Sequence, residues 1–226
     1  MATTYSPYFD LINSCAVYYD PGNTRSYAGS GGTINTLVGS VSGVSIQPVP
    51  TFSTENGGVL VLGGVSAADG TIGGTYPRRF PTNDTFAHTL EIVISPSGTP
   101  ALTEAILMLG TGVTNNHVIS RSTSNVLQIQ PFGSAAIHTH QMANGSWYHV
   151  VSTYDGATSI LYVNGVRISS VSATIVAAIK GIYLFGNITG YDDFEGKAGI
   201  IRMYNKCLNA EEAFAAFTSI RGRYGL

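Results

Sequence analysis

The sequence predicts an all-β fold of many short strands, followed by one short C-terminal helix. Three observations predict it. Residues 145–168, GSWYHVVSTYDGATSILYVNGVRI, read as two successive strands, each closed by a Gly-containing turn. Glycine is abundant, at 27 of 226 residues, which suits many tight turns. Only one segment carries helical spacing. The chain is longer than an average domain, but all-β sandwiches of roughly 200–250 residues fold as one unit.

The elements follow in order. Residues 1–14 have no clear period and read as an arm that packs on another subunit or as a first edge strand. Residues 15–20 (CAVYYD) read as a strand, and the Gly-containing run 21–32 (PGNTRSYAGSGG) as a long loop. Residues 34–49 alternate short apolar pieces with Gly and Ser, and residues 58–63 (GVLVLG) form a compact apolar strand. A polar, Gly-rich stretch spans 67–79. Residues 86–95 then place Phe86, His88, Leu90, Ile92 and Ile94 on one face, with Ala87, Thr89, Glu91 and Val93 on the other. That is the pattern of a half-buried strand. Short strands follow at 106–110, 117–121, 125–131 and 135–139.

Residues 147–154 are dense in aromatic and β-branched side chains, which fit a pleated surface. Asp155 and Gly156 break this strand, and 160–163 form the next. Asn164-Gly165 favours a type I′ turn, because both residues tolerate positive φ. Strands at 181–186 and 196–204 complete the set. Asn209 and Glu212 form a capping box, Ala213, Phe214, Phe217 and Ile220 recur at helical spacing, and Gly222 stops the helix. With no fixed repeat and no linker, 1–226 is expected to be a single domain.

Composition narrows the function classes. The net charge is −2 and the pI about 6.2, so no basic excess attracts nucleic acid or an anionic membrane. Charged residues make up 11%, against about 25% in an average soluble protein. So weakly charged a surface packs against neighbouring subunits with little desolvation, and a homo-oligomer is expected. No apolar run reaches membrane-spanning length, and the first residues lack the basic and apolar regions of a secretory signal. The expectation is a protein made in a cytoplasm that leaves it, if at all, within a particle. Cys15 and Cys207 lie near opposite ends. They would be neighbours if the first and last strands pair antiparallel, and free thiols are the expectation in a cytosolically assembled protein.

The run Trp147-Tyr148-His149-Val150-Val151, then Tyr154-Asp155-Gly156, then Leu161-Tyr162-Val163-Asn164-Gly165, resembles the core signature of concanavalin A-like, laminin-G-like jelly rolls. Residues 201–206 and Leu208, followed by Glu211-Glu212, are similar to the ending of the same group. Residues 20–32 and 222–225 resemble the variant found in bacteriophage and other viral structural proteins. The resemblance implies two curved antiparallel sheets packed face to face, adjacent termini, and loops gathered on the concave side. It also implies a non-enzymatic virion component, as capsid decoration or in a tail or fibre, with other virion proteins as partners. The alternative is a lectin-like carbohydrate-binding module that serves host attachment.

The candidate chemistry is sparse. Glycosidases on this fold need alternating carboxylates on one strand. Glu91 stands alone in its strand, so no enzyme is expected. Asp192, Asp193 and Glu195 sit beside Gly190 and Gly196 and read as a solvated acidic turn or, with a carbonyl, as a calcium site. No other cofactor is expected. His138 and His140 form an H-x-H pair on one strand face, with no third metal ligand, and read as exposed strand histidines. His88 and His149 read as packed. Tyr27, Tyr76 and Tyr191 fall in loops and could stack a sugar or contact a subunit. Trp147, Tyr154 and Tyr162 are expected in the core.

Overall fold

The computed structural model describes residues 11, 14–38, 43–46, 49–63, 86–110, 115–176, 181–186 and 190–226. The N-terminal strands are β1 (Cys15–Tyr19), β2 (Thr33–Ile34), β3 (Val44–Ser45), β4 (Thr51–Ser53) and β5 (Val59–Gly63). A central run follows: β6 (His88–Pro96), β7 (Glu104–Leu109), β8 (His117–Arg121), β9 (Val126–Pro131) and β10 (His138–Gln141). Then come β11 (Tyr148–Tyr154), β12 (Thr158–Val163), β13 (Val166–Ser172), β14 (Ile182–Leu184), β15 (Asp192–Asp193) and β16 (Glu195–Tyr204). Helix α1 spans Ala210–Tyr224. All of the arm (1–14) except Leu11 and Ser14, and the stretch 67–79, lie outside the described residues. No helix among the described residues is long and apolar enough to cross a membrane.

Two antiparallel sheets form the expected sandwich. The larger runs β13-β12-β11-β6-β16-β5-β4, with β1 also on β16. The smaller runs β10-β9-β8-β7-β14, with the short β15 parallel to β7. The core between them draws Leu90, Ile92 and Ile94 from β6, Val150 from β11 and Leu161 from β12. The smaller sheet contributes Leu107, Ile119, Leu127 and Ile129. The asymmetry of alternate residues anticipated these inward positions.

Strand β6 departs from expectation. It is buried on both faces along its whole length. The cause is α1, which lies across the outer face of the larger sheet. Val93 packs there with Ile200, Ile220 and Tyr224. The helix starts as read: Asn209 accepts from the Glu212 backbone at 2.9 Å, and Glu212 accepts from the Asn209 backbone at 3.0 Å. It runs through Gly222 and ends on Gly225, whose φ of 69° supplies the left-handed cap. Gly222 is merely tolerated inside the last turn.

The Asn164-Gly165 turn forms as expected, with φ of 50° and 76°. A Cβ on Gly165 would meet the Phe217 ring at 2.6 Å, so the hairpin tip rests on the helix. Strands β1 and β16 pair antiparallel, with Cys15 opposite Tyr204. Both cysteines are free thiols. Cys15 is buried, which pushes its pKa up to about 12, and its Sγ donates to the Val17 carbonyl at 3.0 Å.

Candidate functional site

The outer face of the smaller sheet is built by a bulge. Register shifts between Ala105 and Leu107, so Ile106 and Leu107 both enter the core and Met108 joins Ala105 outside. Cross-strand pairing extends that face. Met108 lies opposite Val118, and Val118 opposite Gln130. Ala105 lies opposite Ser120, Ser120 opposite Gln128, and Gln128 opposite Thr139. Ala105, Met108 and Val118 thus make an apolar floor.

Three half-buried rings pack on this floor: Phe132, Tyr183 and Tyr191. Phe132 and Tyr191 stack with centroids 6.0 Å apart and planes 28° apart. The Gln130 amide donates to the Tyr191 hydroxyl. The Phe132 backbone is fixed at both groups, donating to Asn116 O at 2.7 Å and accepting from Asn115 N at 2.8 Å. Further along the same face, Gln128 is half-buried and Thr139 is exposed. The Ser120 hydroxyl is buried in this face without a hydrogen-bond partner. A stacking platform edged by amide and hydroxyl groups can hold a sugar ring by its C–H face and bond its hydroxyls.

Of the anticipated residues that are described, only Tyr191 lies on this platform. Tyr27 does not. It is 1% exposed, tilted against Phe52, with its hydroxyl donating to Gly31 O at 2.6 Å. The loop that carries it folds inward, so its ring is core and offers no stacking face. Tyr76 lies outside the described residues. Sequence reasoning missed Phe132, Tyr183 and Gln130. The signal for Tyr183 was present: Ile182 and Leu184 point inward, so the residue between them must point out.

The acidic residues are divided between two strands. Among the described residues no three His, Cys, Asp or Glu side chains form a group that could hold a metal ion. Asp192 and Asp193 pair along β7, and the Asp192 carboxylate accepts from Leu102 N at 3.1 Å. Glu195 begins β16 instead, with its carboxylate packed against Gly98. Asp192 and Asp193 thus belong to the smaller sheet and Glu195 to the larger.

Other charged groups are internal. Arg121 is fully buried and spends its guanidinium on Asn125, Ser97, Glu104, Gly98 and Asn144 at 2.7–3.1 Å. Burial pushes Glu104 up to about 7, against the pull of Arg121. Glu91 is fully buried under α1. His138 and His140 do share a face, but it is the inner one. His138 is 2% exposed and bonds Ser169 at 2.5 Å and Ser159 at 3.1 Å, whereas half-buried His140 lies edge-on to Tyr148. The H-x-H pair therefore closes the seam between the sheets. His88 and His149 are packed, as read.

A family model described as the concanavalin A-like lectin/glucanases superfamily matches residues 66–213. The chain belongs to that superfamily. Solved structures resemble it in fold at low identity. The binding domain of Paraclostridial Mosquitocidal Protein 1 matches with a TM-score of 0.66 and 12% identity, over 92% of this chain and 53% of that one. Trypanosoma rangeli sialidase in complex with sialic acid gives 0.65 and 16%, over 93% and 33%. The Botulinum neurotoxin serotype G binding domain gives 0.63 and 12%, over 91% and 51%. This lectin-like chain thus spans a third to about half of those structures. No curated relative matches the sequence.

Proposed function

We propose that this concanavalin A-like chain is a non-catalytic glycan-binding module, and that its ligand stacks on Phe132 and Tyr191. The observation that carries the reading is the half-buried ring pair on the apolar floor, edged by Gln128, Gln130 and Thr139. Absence of catalysis is part of the proposal. Glu91 is sealed under the helix, and Glu104 is 2% exposed and bonded to Arg121. Neither carboxylate can reach a substrate in solvent. The fold neighbours include binding domains, which is compatible with this reading. The test is a glycan array with wild type, Tyr191→Ala and Phe132→Ala. Binding lost in both variants, with unchanged melting temperature, is expected. Full binding by both variants would place the ligand elsewhere.

A second reading is a structural role in a virus particle, with other virion proteins and further copies of this chain as partners. It is favoured by the low charge density and by the terminal segments 20–32 and 222–225. Co-purification with particles, and self-association in solution, are its expected results. A monomer absent from purified particles removes it.

A further inference from the structure

Two histidines meet in the middle of the sandwich. His88 of β6 and His117 of β8 belong to opposite sheets and are both fully buried. Four groups form one hydrogen-bonded line. His88 Nδ1 lies 2.9 Å from Phe86 O, His88 Nε2 lies 2.8 Å from His117 Nδ1, and His117 Nε2 lies 2.8 Å from Ser152 Oγ. The carbonyl at one end fixes every proton. Phe86 O only accepts, so His88 carries its proton on Nδ1. His88 Nε2 then accepts, so His117 also carries its proton on Nδ1. His117 Nε2 accepts in turn, and the Ser152 hydroxyl donates to it. With both rings neutral, only this arrangement satisfies the line.

The surroundings offer nothing to stabilise a cation. From β11 come Ser152 and the Tyr154 ring, 5.6 Å from His88. The Phe86 ring lies 5.0 Å away on the other side. The remaining titratable group acting on His117 is His138 of β10, itself held by Ser159 of β12 and Ser169 of β13. Among the described residues no carboxylate bonds either ring. Burial accordingly holds His88 down to about 4 and His117 well below its ordinary value. A proton added to His88 would set its Nε2–H against the His117 Nδ1–H. A proton added to His117 is accommodated by turning the Ser152 hydroxyl, but leaves a buried imidazolium with no counter-charge.

The line also underlies the aromatic platform. Asn115 and Asn116, the two residues before His117, hold both backbone groups of Phe132. Val118, the residue after it, is part of the platform floor. We propose that His88 and His117 form an acid-sensitive latch between the two sheets, whose protonation frees β8 and the Phe132 end of the platform. This holds whether or not the platform binds a glycan.

The sign follows from linkage. Both folded-state pKa values lie below the ordinary 6.5, so the latched state binds fewer protons than the open one. Stability from the latch is present above about 6.5 and is lost as pH falls toward 4. Each proton taken up raises the opening constant about tenfold per pH unit, so two give roughly 100-fold. The test is urea unfolding of the full chain from pH 7.5 to 4.5, on wild type, His88→Gln and His117→Gln. Each variant is expected to take up about one proton fewer than wild type on unfolding in this window, because Glu104 and His138 contribute equally to all three profiles. Variants that keep the wild-type slope would overturn the latch. Should either variant fail to fold, native-state hydrogen exchange on wild type decides. The Val118 and Phe132 amides, corrected for intrinsic rates, must lose protection below pH 6.5 before those of β12. Uniform loss across both sheets refutes it.

Discussion

Replacing Arg202 by Met would isolate the cost of stranding a charge beneath helix α1. Glu91 is fully buried on the outer face of the larger sheet. Its Oε1 accepts from Arg202 Nη1 and His149 Nε2, each at 3.0 Å, and its Oε2 accepts from the Tyr204 hydroxyl at 2.5 Å. Burial by itself would raise the carboxyl pKa. Arg202, then His149 and Tyr204, outweigh it and bring the value from 4.5 to about 2. That drop corresponds to on the order of 3 kcal/mol held by the ionised form. Removing one partner of a buried pair typically costs about 3–5 kcal/mol, because the survivor stays desolvated. Arg202→Met should therefore cost about 3–4 kcal/mol in urea unfolding at pH 7. A double variant, Glu91→Leu with Arg202→Met, should recover most of the loss, since neither charge remains. The pH profile supplies a second readout. A depressed carboxyl pKa stabilises above 4.5, and this contribution is lost as pH falls toward 2. In Arg202→Met that acid limb should move to higher pH. A single variant costing under about 1 kcal/mol, or a double variant no better than the single, would refute the reasoning.

Two further predictions concern packing and metal. A Cβ on Gly199 would meet the Tyr224 hydroxyl at 2.2 Å, and that hydroxyl accepts from Ile200 N. Gly199→Ala should displace the end of α1 and cost about 1–3 kcal/mol, seen as a lower urea midpoint. Calcium titrated into the protein should leave its melting temperature unchanged, because Asp192, Asp193 and Glu195 do not converge. A rise that is abolished by Asp192→Asn would show that they do.

Much of the architecture was legible because it is written in local patterns. Alternation placed Leu90, Ile92 and Ile94 inward, Asn164-Gly165 specified its turn, and Asn209 with Glu212 specified the helix start. What failed depended on non-local facts. Alternation along β6 cannot show that a helix more than a hundred residues later covers the second face. The helix stop was misplaced because Gly222 and Gly225 are equally good candidates in sequence. Only packing of Tyr224 against Gly199 selects the later one. The site was legible only at Tyr191. Met108 reaches the platform through a bulge at Ala105–Leu107, and a bulge shifts side-chain parity without any residue signature. Tyr27 misled for a related reason. A Gly-rich loop reads as exposed, yet this one folds inward and buries the ring.

Segments 20–32 and 222–225, on which the proposed virion role rests, meet in space, and the meeting changes what they support. Arg223 Nη1 lies 2.9 Å from Asp20 Oδ1. Its Nε donates to Asn56 O at 2.6 Å and its Nη2 to Gly58 O at 2.8 Å. Gly22 completes the unit, since a Cβ there would meet Gly57 O at 2.0 Å and Arg223 Nη2 at 2.5 Å. Asp20, Gly22 and Arg223 are thus the residues that closing α1 onto the front loop demands. Their contacts serve closure of this chain, inside a particle or not. Their match is therefore evidence about fold before it is evidence about a virion. Arg223→Lys separates the two. A lysine keeps the charge but cannot span Asp20, Asn56 and Gly58 with one planar fork. If the segments serve closure, the variant should lose about 1–3 kcal/mol in urea unfolding, with its oligomeric state by light scattering unchanged. If they serve assembly, stability should hold while self-association is lost, and the reading of these ends as a closure device would be wrong.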